Sequence, residues 1–286
     1  MRFFPLLCSS AALLFAANAN AQIAGEPRAD GMAGASRADP LANSAMVSNP
    51  AGLSRGRLYA AEVQFSRTGV GDRNAAAASI VDSKTQPNLA VGISYSYEWA
   101  DSDAEDEVSG HDARLEFAHQ MMNGNLNIGF GLRYVNFKRD IQDDFDGFTL
   151  SLGLHGSLTE NFAIALMGEN IIPVDEIALP RRAGGGLAFT SGTFTLEGDV
   201  LADFDSADST KPVFAVSMEA LLGQMVPIRV GYERNNATET DIIAAGLGFL
   251  SIESGRTSGT QVNVSYKQDL SDSKNYFFSA GLIFYL

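Results

Sequence analysis

From residue 58 onward the chain alternates, and that alternation most constrains what it can fold into. In "NLAVGISYSYEWA", Leu89, Val91, Ile93, Tyr95, Tyr97 and Trp99 fall on one face, and Ala90, Gly92, Ser94, Ser96 and Glu98 on the other. Successive strand side chains point to opposite faces, so such a strand has one greasy side and one small or polar side. "NLNIGFGLRY" sets Leu126, Ile128, Phe130, Leu132 and Tyr134 against Asn127, Gly129, Gly131 and Arg133. "GFTLSLGLHG" sets Phe148, Leu150, Leu152 and Leu154 against Thr149, Ser151, Gly153 and His155. About fourteen runs of this kind follow one another, each of roughly 9–12 residues, the length at which a tilted strand crosses a bilayer. They lie near 57–67, 75–83, 88–99, 111–120, 125–137, 147–157, 161–170, 181–190, 193–202, 213–221, 226–234, 241–250, 260–267 and 275–286, with the alternation faintest in the second and twelfth.

The connections alternate too. One set is mostly short, with Asn123-Gly124, Thr159-Glu160 and "SGT" at 191–193; the exception is "SIESGRTSGT". The other set is longer and acidic: "ADSDAEDEVSG", "KRDIQDDFDG", "NIIPVDEIALP", "DFDSADSTKP" and "QDLSDSK". Short turns at one end and long loops at the other mark an outer-membrane barrel. A soluble β-sandwich would need shorter strands and gives no reason for the loop pattern. Tyr97, Trp99, Tyr134, Tyr232, Tyr266 and Tyr276 fall at the long-loop ends, which predicts an aromatic girdle at one interface. The expected fold class is all-β, a 14-stranded antiparallel transmembrane barrel over 57–286.

Residues 1–21 read as a secretory signal: Arg2, the apolar "FFPLLCSSAALLFAA", and Ala19 to Ala21 as an A-x-A cleavage site before Gln22. Cys8, the only cysteine, lies inside it; a lipoprotein reading would need a small residue where Leu7 stands. Cleavage leaves no thiol, which removes disulfides and cysteine chemistry. A formal net charge of −14 argues against nucleic acid, which needs a basic face.

The segment before the first strand, 22–56, contains "GMAGASRADPLANSAMVSNPAGLSRG", with neither helical stripe nor strand alternation. It is too apolar to stay solvated. The inward faces of the runs are conspicuously small, with Gly92, Ser94, Gly129, Gly131, Ser151, Gly153, Gly184, Gly186, Gly246 and Gly248. Small inward residues make room, so the segment is expected to sit in the lumen as a hatch; the alternative is a loop capping the barrel. Its Gly31, Met32, Gly34, Ala35, Asp39, Asn49, Pro50, Ala51 and Gly52 resemble the N-terminal pattern of FadL-like and PorV-like outer-membrane proteins. "LPRRAGGGLAF" at 179–189 resembles a Pro-led glycine strand of PorV-like members. The resemblance implies fourteen strands and a role either as a transport channel for small hydrophobic molecules or as an anchor for a secretion or surface complex. Asn-Pro-Ala-Gly predicts a tight turn, with Pro50 fixing φ, Asn49 bonding nearby backbone and Gly52 at positive φ. Ser279, Gly281, Phe284 and Leu286 resemble the terminal signal read by the barrel assembly machinery, with Leu in place of the frequent Phe.

No catalytic set stands out. His111, His119 and His155 lack metal-ligand spacing, no Gly-x-Ser-x-Gly elbow or phosphate loop occurs, and neither metal nor cofactor is expected. Inward charges do occur: Glu62, Glu98, Arg114, Glu116, Arg133, Glu169, Arg182, Glu197, Asp199, Glu219, Arg229, Glu233 and Lys267. They read as a salt-bridged wall holding the hatch, or as a polar pathway. Inward apolar residues look few (Met167, Ile242, Val135), which speaks against a greasy cargo. Expected partners are outer-membrane lipid, lipopolysaccharide, the assembly machinery, and either a hydrophobic small molecule or a surface complex. Asp101, Asp103, Glu105, Asp106 and Glu107 suit divalent-cation bridges to lipopolysaccharide or plain solvation.

Overall fold

A computed structural model describes residues 25–86, 88–101, 108–140, 143–175, 178–252 and 258–286. The predicted signal, most of the first long acidic loop and the centre of "SIESGRTSGT" lie outside the described residues.

Fourteen antiparallel strands close into a single barrel, each paired with its sequence neighbours and β1 with β14. They are β1 (Tyr59–Thr68), β2 (Arg73–Asp82), β3 (Leu89–Ala100), β4 (Val108–Met121), β5 (Leu126–Arg139), β6 (Phe145–Ser157), β7 (Phe162–Glu169), β8 (Arg182–Ser191), β9 (Phe194–Asp203), β10 (Lys211–Leu222), β11 (Val226–Asn235), β12 (Thr240–Ile252), β13 (Gly259–Asp269) and β14 (Tyr276–Tyr285). Every expected run is a strand, β2 and β12 included. Closure leaves no unpaired edge, which hydrocarbon would not tolerate.

The faces fall as the alternation requires. Ile93, Tyr95, Phe130, Phe148, Leu152, Leu154, Leu166, Leu187 and Val216 are exposed on the outside. Ala90, Thr149, His155, Glu197 and Asn263 are buried on the inside. An apolar outer band on a closed barrel is a surface made for lipid. At the long-loop ends Tyr97 stacks on Trp99 (5.8 Å between centroids) and Tyr266 on Tyr276 (6.2 Å), forming the expected girdle. Ion pairs tie the outer rim, Arg67 to Asp101 (2.8 Å), Arg139 to Asp175 (2.9 Å) and Arg181 to Asp205 (2.6 Å). The hydrogen bonds from Arg181 hold the Asp205 carboxyl below the usual carboxylate range.

Two connections at the outer end, 69–72 and 236–239, are tight rather than long. The stagger of the wall is also uneven. β6 pairs with β7 only over 152–157, opposite 163–168. The outer half of β6 therefore overhangs a short β7, and the chain after β7 covers it: Ile171 N–H donates to the Leu150 carbonyl (2.9 Å), and the Val174 side chain lies over Gly147.

The two faces of β6 give a direct test. Leu152 is 50% exposed on the outer face, while Ser151 points inward. Leu152→Arg places a charge in lipid at about 2–4 kcal/mol near the midplane. It is expected to lower the heat-modifiable folded fraction on gels well below that of Ser151→Arg. Equal defects, or a larger one from Ser151→Arg, would contradict this assignment of the faces.

Candidate functional site: a lumen closed by the hatch

Residues 25–56 lie inside the barrel and are almost wholly buried. The first helix, α1 (Pro27–Gly31), has Pro27 in its first turn, where its missing N–H costs nothing, and the Glu26 carboxylate caps the Ala29 N–H (2.9 Å). After it Ala33 (φ 50°) and Gly34 (φ 78°) turn the chain back. A second short helix, α2 (Ala45–Ser48), leads to the Asn-Pro-Ala-Gly turn. There Asn49 Oδ1 accepts from Ala51 N–H (3.1 Å) and Pro50 opens a 3₁₀ turn, as expected. Gly52 differs from expectation, for it does not adopt positive φ. A Cβ there would meet Pro40 Cβ at 2.6 Å, so close packing within the hatch calls for glycine.

The small inward residues are the seat of this segment. Gly129 and Gly153 face each other across β5 and β6, and the Pro50–Ala51 backbone and Asn49 rest on them. A Cβ on Gly129 would stand 2.7 Å from Ala51 Cα. Gly31 abuts Gly246, Met32 backbone covers Gly231, and Met46 and Leu53 cover Gly92. Gly131, Gly186 and Gly248 make room instead for the wall side chains Glu116, Asp199 and Asn263, and Gly184 lies against the Val200–Leu201 backbone of β9.

The predicted lumen charges hold the hatch. Glu197 accepts the backbone N–H groups of Ala38 (2.5 Å) and Asp39 (3.2 Å). Asp199 pairs with Arg37 (3.3 Å). Glu219 lies between Arg229 and Arg28 (3.2 Å), and Arg28 continues to Asp39 (3.1 Å), which also takes Arg55 (2.7 Å). Arg229 reaches Asn263 (2.9 Å). Arg114 donates to the Met46 carbonyl (2.9 Å), and Lys267 pairs with Asp30 (2.8 Å). Other charges pair within the wall: Glu98 with Arg73 (3.1 Å), Arg133 with Asp112 (2.8 Å), Arg182 with Asp203 (2.9 Å) and Glu169 (3.8 Å). Glu116 and Glu62 are buried without an ion pair among the described residues. Sequence reasoning missed Arg28, Arg37 and Arg55 on the hatch and Arg73, Asp112 and Asn263 on the wall. The wall three were findable by period two alone.

Ser279 points inward and donates to Asp30 (2.9 Å), while Gly281 makes room for Glu62 and Pro27. Phe284 and Leu286 face outward. His155 is a lumen residue, beside Asn127 (3.2 Å).

Above the hatch, at the long-loop end, a vestibule of about 630 Å³ opens. Its charge is mixed and mainly acidic, with Glu26, Asp30, Glu169, Glu233, Asp269 and Asp272 against Arg37, Arg73, Arg182 and Lys267, and Val70, Ala178, Leu179, Pro180, Ile242 and Phe277 are among its apolar lining. Here the expectation of a lumen poor in apolar groups is corrected. Ala178 and Leu179 pack with Val108, Val135 and Phe137 into one buried apolar cluster, and Met167, Leu201 and Val213 form another. Val108 begins β4 three residues before the expected run 111–120, whereas Phe137 and Val213 are the end residues of the expected runs 125–137 and 213–221.

No protein-family model matches the chain, and no curated protein matches it by sequence. Solved structures do. The CymD monoaromatic hydrocarbon channel aligns with a TM-score of 0.67 at 13% identity, over 92% of this chain and 98% of its own. The toluene transporter TodX of Pseudomonas putida aligns at 0.64 and 12% identity, over 91% and 98%. The outer membrane protein Omp33 of Acinetobacter baumannii aligns at 0.50 and 11% identity, over 81% and 100%. At such identities the likeness is one of fold, and the fold is that of a FadL-like outer-membrane barrel, closed by fourteen strands and carrying a short N-terminal helical segment.

Proposed function

We propose that this protein is a plugged outer-membrane channel that admits small, mainly hydrophobic molecules, after export and removal of residues 1–21. The observation that carries this reading is the vestibule, which opens among the outer loops and is floored by the hatch. Its apolar side, Leu179 with Ala178 and Pro180, runs into the buried cluster around Val135 and Phe137. Pockets of this kind hold a small apolar body against one wall while a few polar groups orient it. CymD and TodX, the channels of like fold, are described as carrying monoaromatic hydrocarbons and toluene. The charged rim favours cargo that adds one polar group to an apolar ring. Two of the outer connections are tight, so the vestibule wall is built from strand ends more than from loops.

The test is accumulation of radiolabelled toluene and benzyl alcohol, against arabinose as a polar control, in cells with and without the protein. The account expects faster entry of the two aromatic compounds only, and loss of that advantage in Leu179→Asp. Equal entry of all three, or no effect of the protein on any, would contradict it.

A further inference from the structure

The charges that line the vestibule are not evenly matched. Its four cationic side chains are all engaged. Arg37 pairs with Asp199 (3.3 Å) and donates to the Gly34 carbonyl (2.6 Å). Arg73 pairs with Glu98 (3.1 Å), and Arg182 with Asp203 (2.9 Å) and Glu169 (3.8 Å). Lys267 pairs with Asp30 (2.8 Å) and sets its ammonium 4.3 Å from the centroid of the Phe277 ring. Four of the carboxylates, Glu26, Glu233, Asp269 and Asp272, have no ion pair among the described residues. Neutral donors orient three of them: Ala29 N–H on Glu26 (2.9 Å), Ser271 Oγ (2.6 Å) and Asn275 Nδ2 (3.0 Å) on Asp269, and Lys274 N–H on Asp272 (2.9 Å). Such bonds hold a carboxylate in place but leave its charge standing. Glu233 has neither an ion pair nor a hydrogen bond among the described residues.

The register places Glu233 beside an apolar surface. Glu233 on β11 is directly opposite Ile242 on β12, and Ile242 is directly opposite Asp269 on β13. All three line the vestibule. Side chains directly opposite each other on antiparallel strands start about 4.5–5.5 Å apart at Cβ. An isoleucine therefore lies in one row between two carboxylates. Below Glu233 the hatch turns at Gly34 (φ 78°), where a Cβ would stand 3.6 Å from Glu233 Oε2. The free carboxylate thus stands at the floor of the vestibule, where the hatch closes the way inward.

We propose that the polar group of the cargo is a cation: the vestibule selects aromatic ammonium compounds over aromatic anions, and Glu233 sets that preference. This rests on the channel reading and narrows its cargo. A cleft with unbalanced negative charge and low-dielectric walls focuses the field and concentrates solutes of opposite sign. An ammonium group at Glu233 meets a carboxylate with no competing donor, while its apolar body lies against Ile242. An aromatic anion finds every cation of the vestibule taken, and has to displace Asp30 from Lys267 or Asp199 from Arg37 to gain a partner.

Calorimetric titration of the folded protein in non-ionic detergent tests this with three probes of one shape: benzyltrimethylammonium, benzenesulfonate and benzyl alcohol. At low ionic strength wild type is expected to bind the cation about tenfold more tightly than the anion. The gap should narrow at high salt, where exposed charges are screened. Glu233→Gln should abolish the preference and Glu233→Lys should reverse it, each in protein shown to be folded by heat-modifiable migration. Asp208→Asn removes the same charge from an exposed outer-loop position outside the vestibule and should leave the preference as it is. If wild type binds benzyl alcohol but takes the anion as tightly as the cation, the inference is overturned and the channel reading stands. If none of the three binds, both are overturned. A preference that survives in folded Glu233→Gln and Glu233→Lys would overturn the assignment to Glu233.

Discussion

Removal of residues 31–48, with the signal and residue 49 onward kept, is expected to turn a silent barrel into a conducting one. The strand ladder closes on itself through β1 and β14 without help from the hatch, so the shortened chain should still insert. Fourteen strands enclose a lumen between those of the filled eight-stranded barrels and the open sixteen-stranded porins. With 31–48 gone, Gly231 and Gly246 would lose the backbone that covers them, and Glu197 would lose its partners on Ala38 and Asp39. The measurement is single-channel conductance in planar bilayers. Wild type should be closed and the deletion should pass small ions steadily. Equal conductance in both would place the segment outside the conduction path. A deletion that fails to fold would make the hatch part of the core and remove the reason for calling it a plug.

Arg28→Met should loosen the hatch more than any other single change of charge. Arg28 is the side chain that joins the hatch to the far wall, through Glu219, and joins the hatch to itself, through Asp39. It is buried, with its side chain 7% exposed. Removing one member of a buried, hydrogen-bonded ion pair costs about 3–5 kcal/mol, because the carboxylates that remain are left underpaired in a site with little water. The expected result is a wild-type level of insertion, a lowered unfolding midpoint, and brief openings in bilayers where wild type shows none. Arg55→Met removes a pair to the same Asp39, but the Arg55 side chain is 21% exposed, so water compensates and the shift should be smaller. If Arg28→Met were as silent and as stable as wild type, the ion-pair network would not be what seats the hatch.

How far the sequence could be read follows from what each signal depends on. Strand number, order and facing came from period two, a local property that a bilayer enforces on every strand alike. Even β2, with its run of alanines, obeys it, because Ala75 to Ala78 are paired on both sides between β1 and β3. The presence of a hatch was legible in Gly129, Gly153 and Gly246, since glycine on an inward face has no local reason. What fills the space beside each glycine was not legible. Gly131 and Gly129 look identical in sequence, yet one makes room for Glu116 and the other for the Ala51 backbone. Ion-pair partners across the lumen escaped for the same reason: Arg28 and Glu219 are 191 residues apart, and no periodicity relates them. The overhang of β6 on β7 and the apolar cluster behind it escaped as well. They depend on where one strand stops relative to its neighbour, and β7 gives no warning in its own sequence that it ends early.

The central claim, that the N-terminal segment is seated in the lumen, can be tested with one engineered bond. Ala38 on the hatch packs into a buried cluster with Ala165 on β7 and Ala188 on β8. Cys8 is the chain's only cysteine and lies in the predicted signal, so an introduced pair has no competing thiol once the signal is removed. Ala38→Cys should be combined with Ala165→Cys in one protein and with Ala188→Cys in another, and each examined on non-reducing gels after expression in an oxidising periplasm. The account predicts that at least one pair closes a disulfide in the folded barrel without added oxidant, and that the bonded protein stays silent in bilayers. Free thiols at both pairs in a protein that has inserted and folded would put the hatch elsewhere and contradict the account.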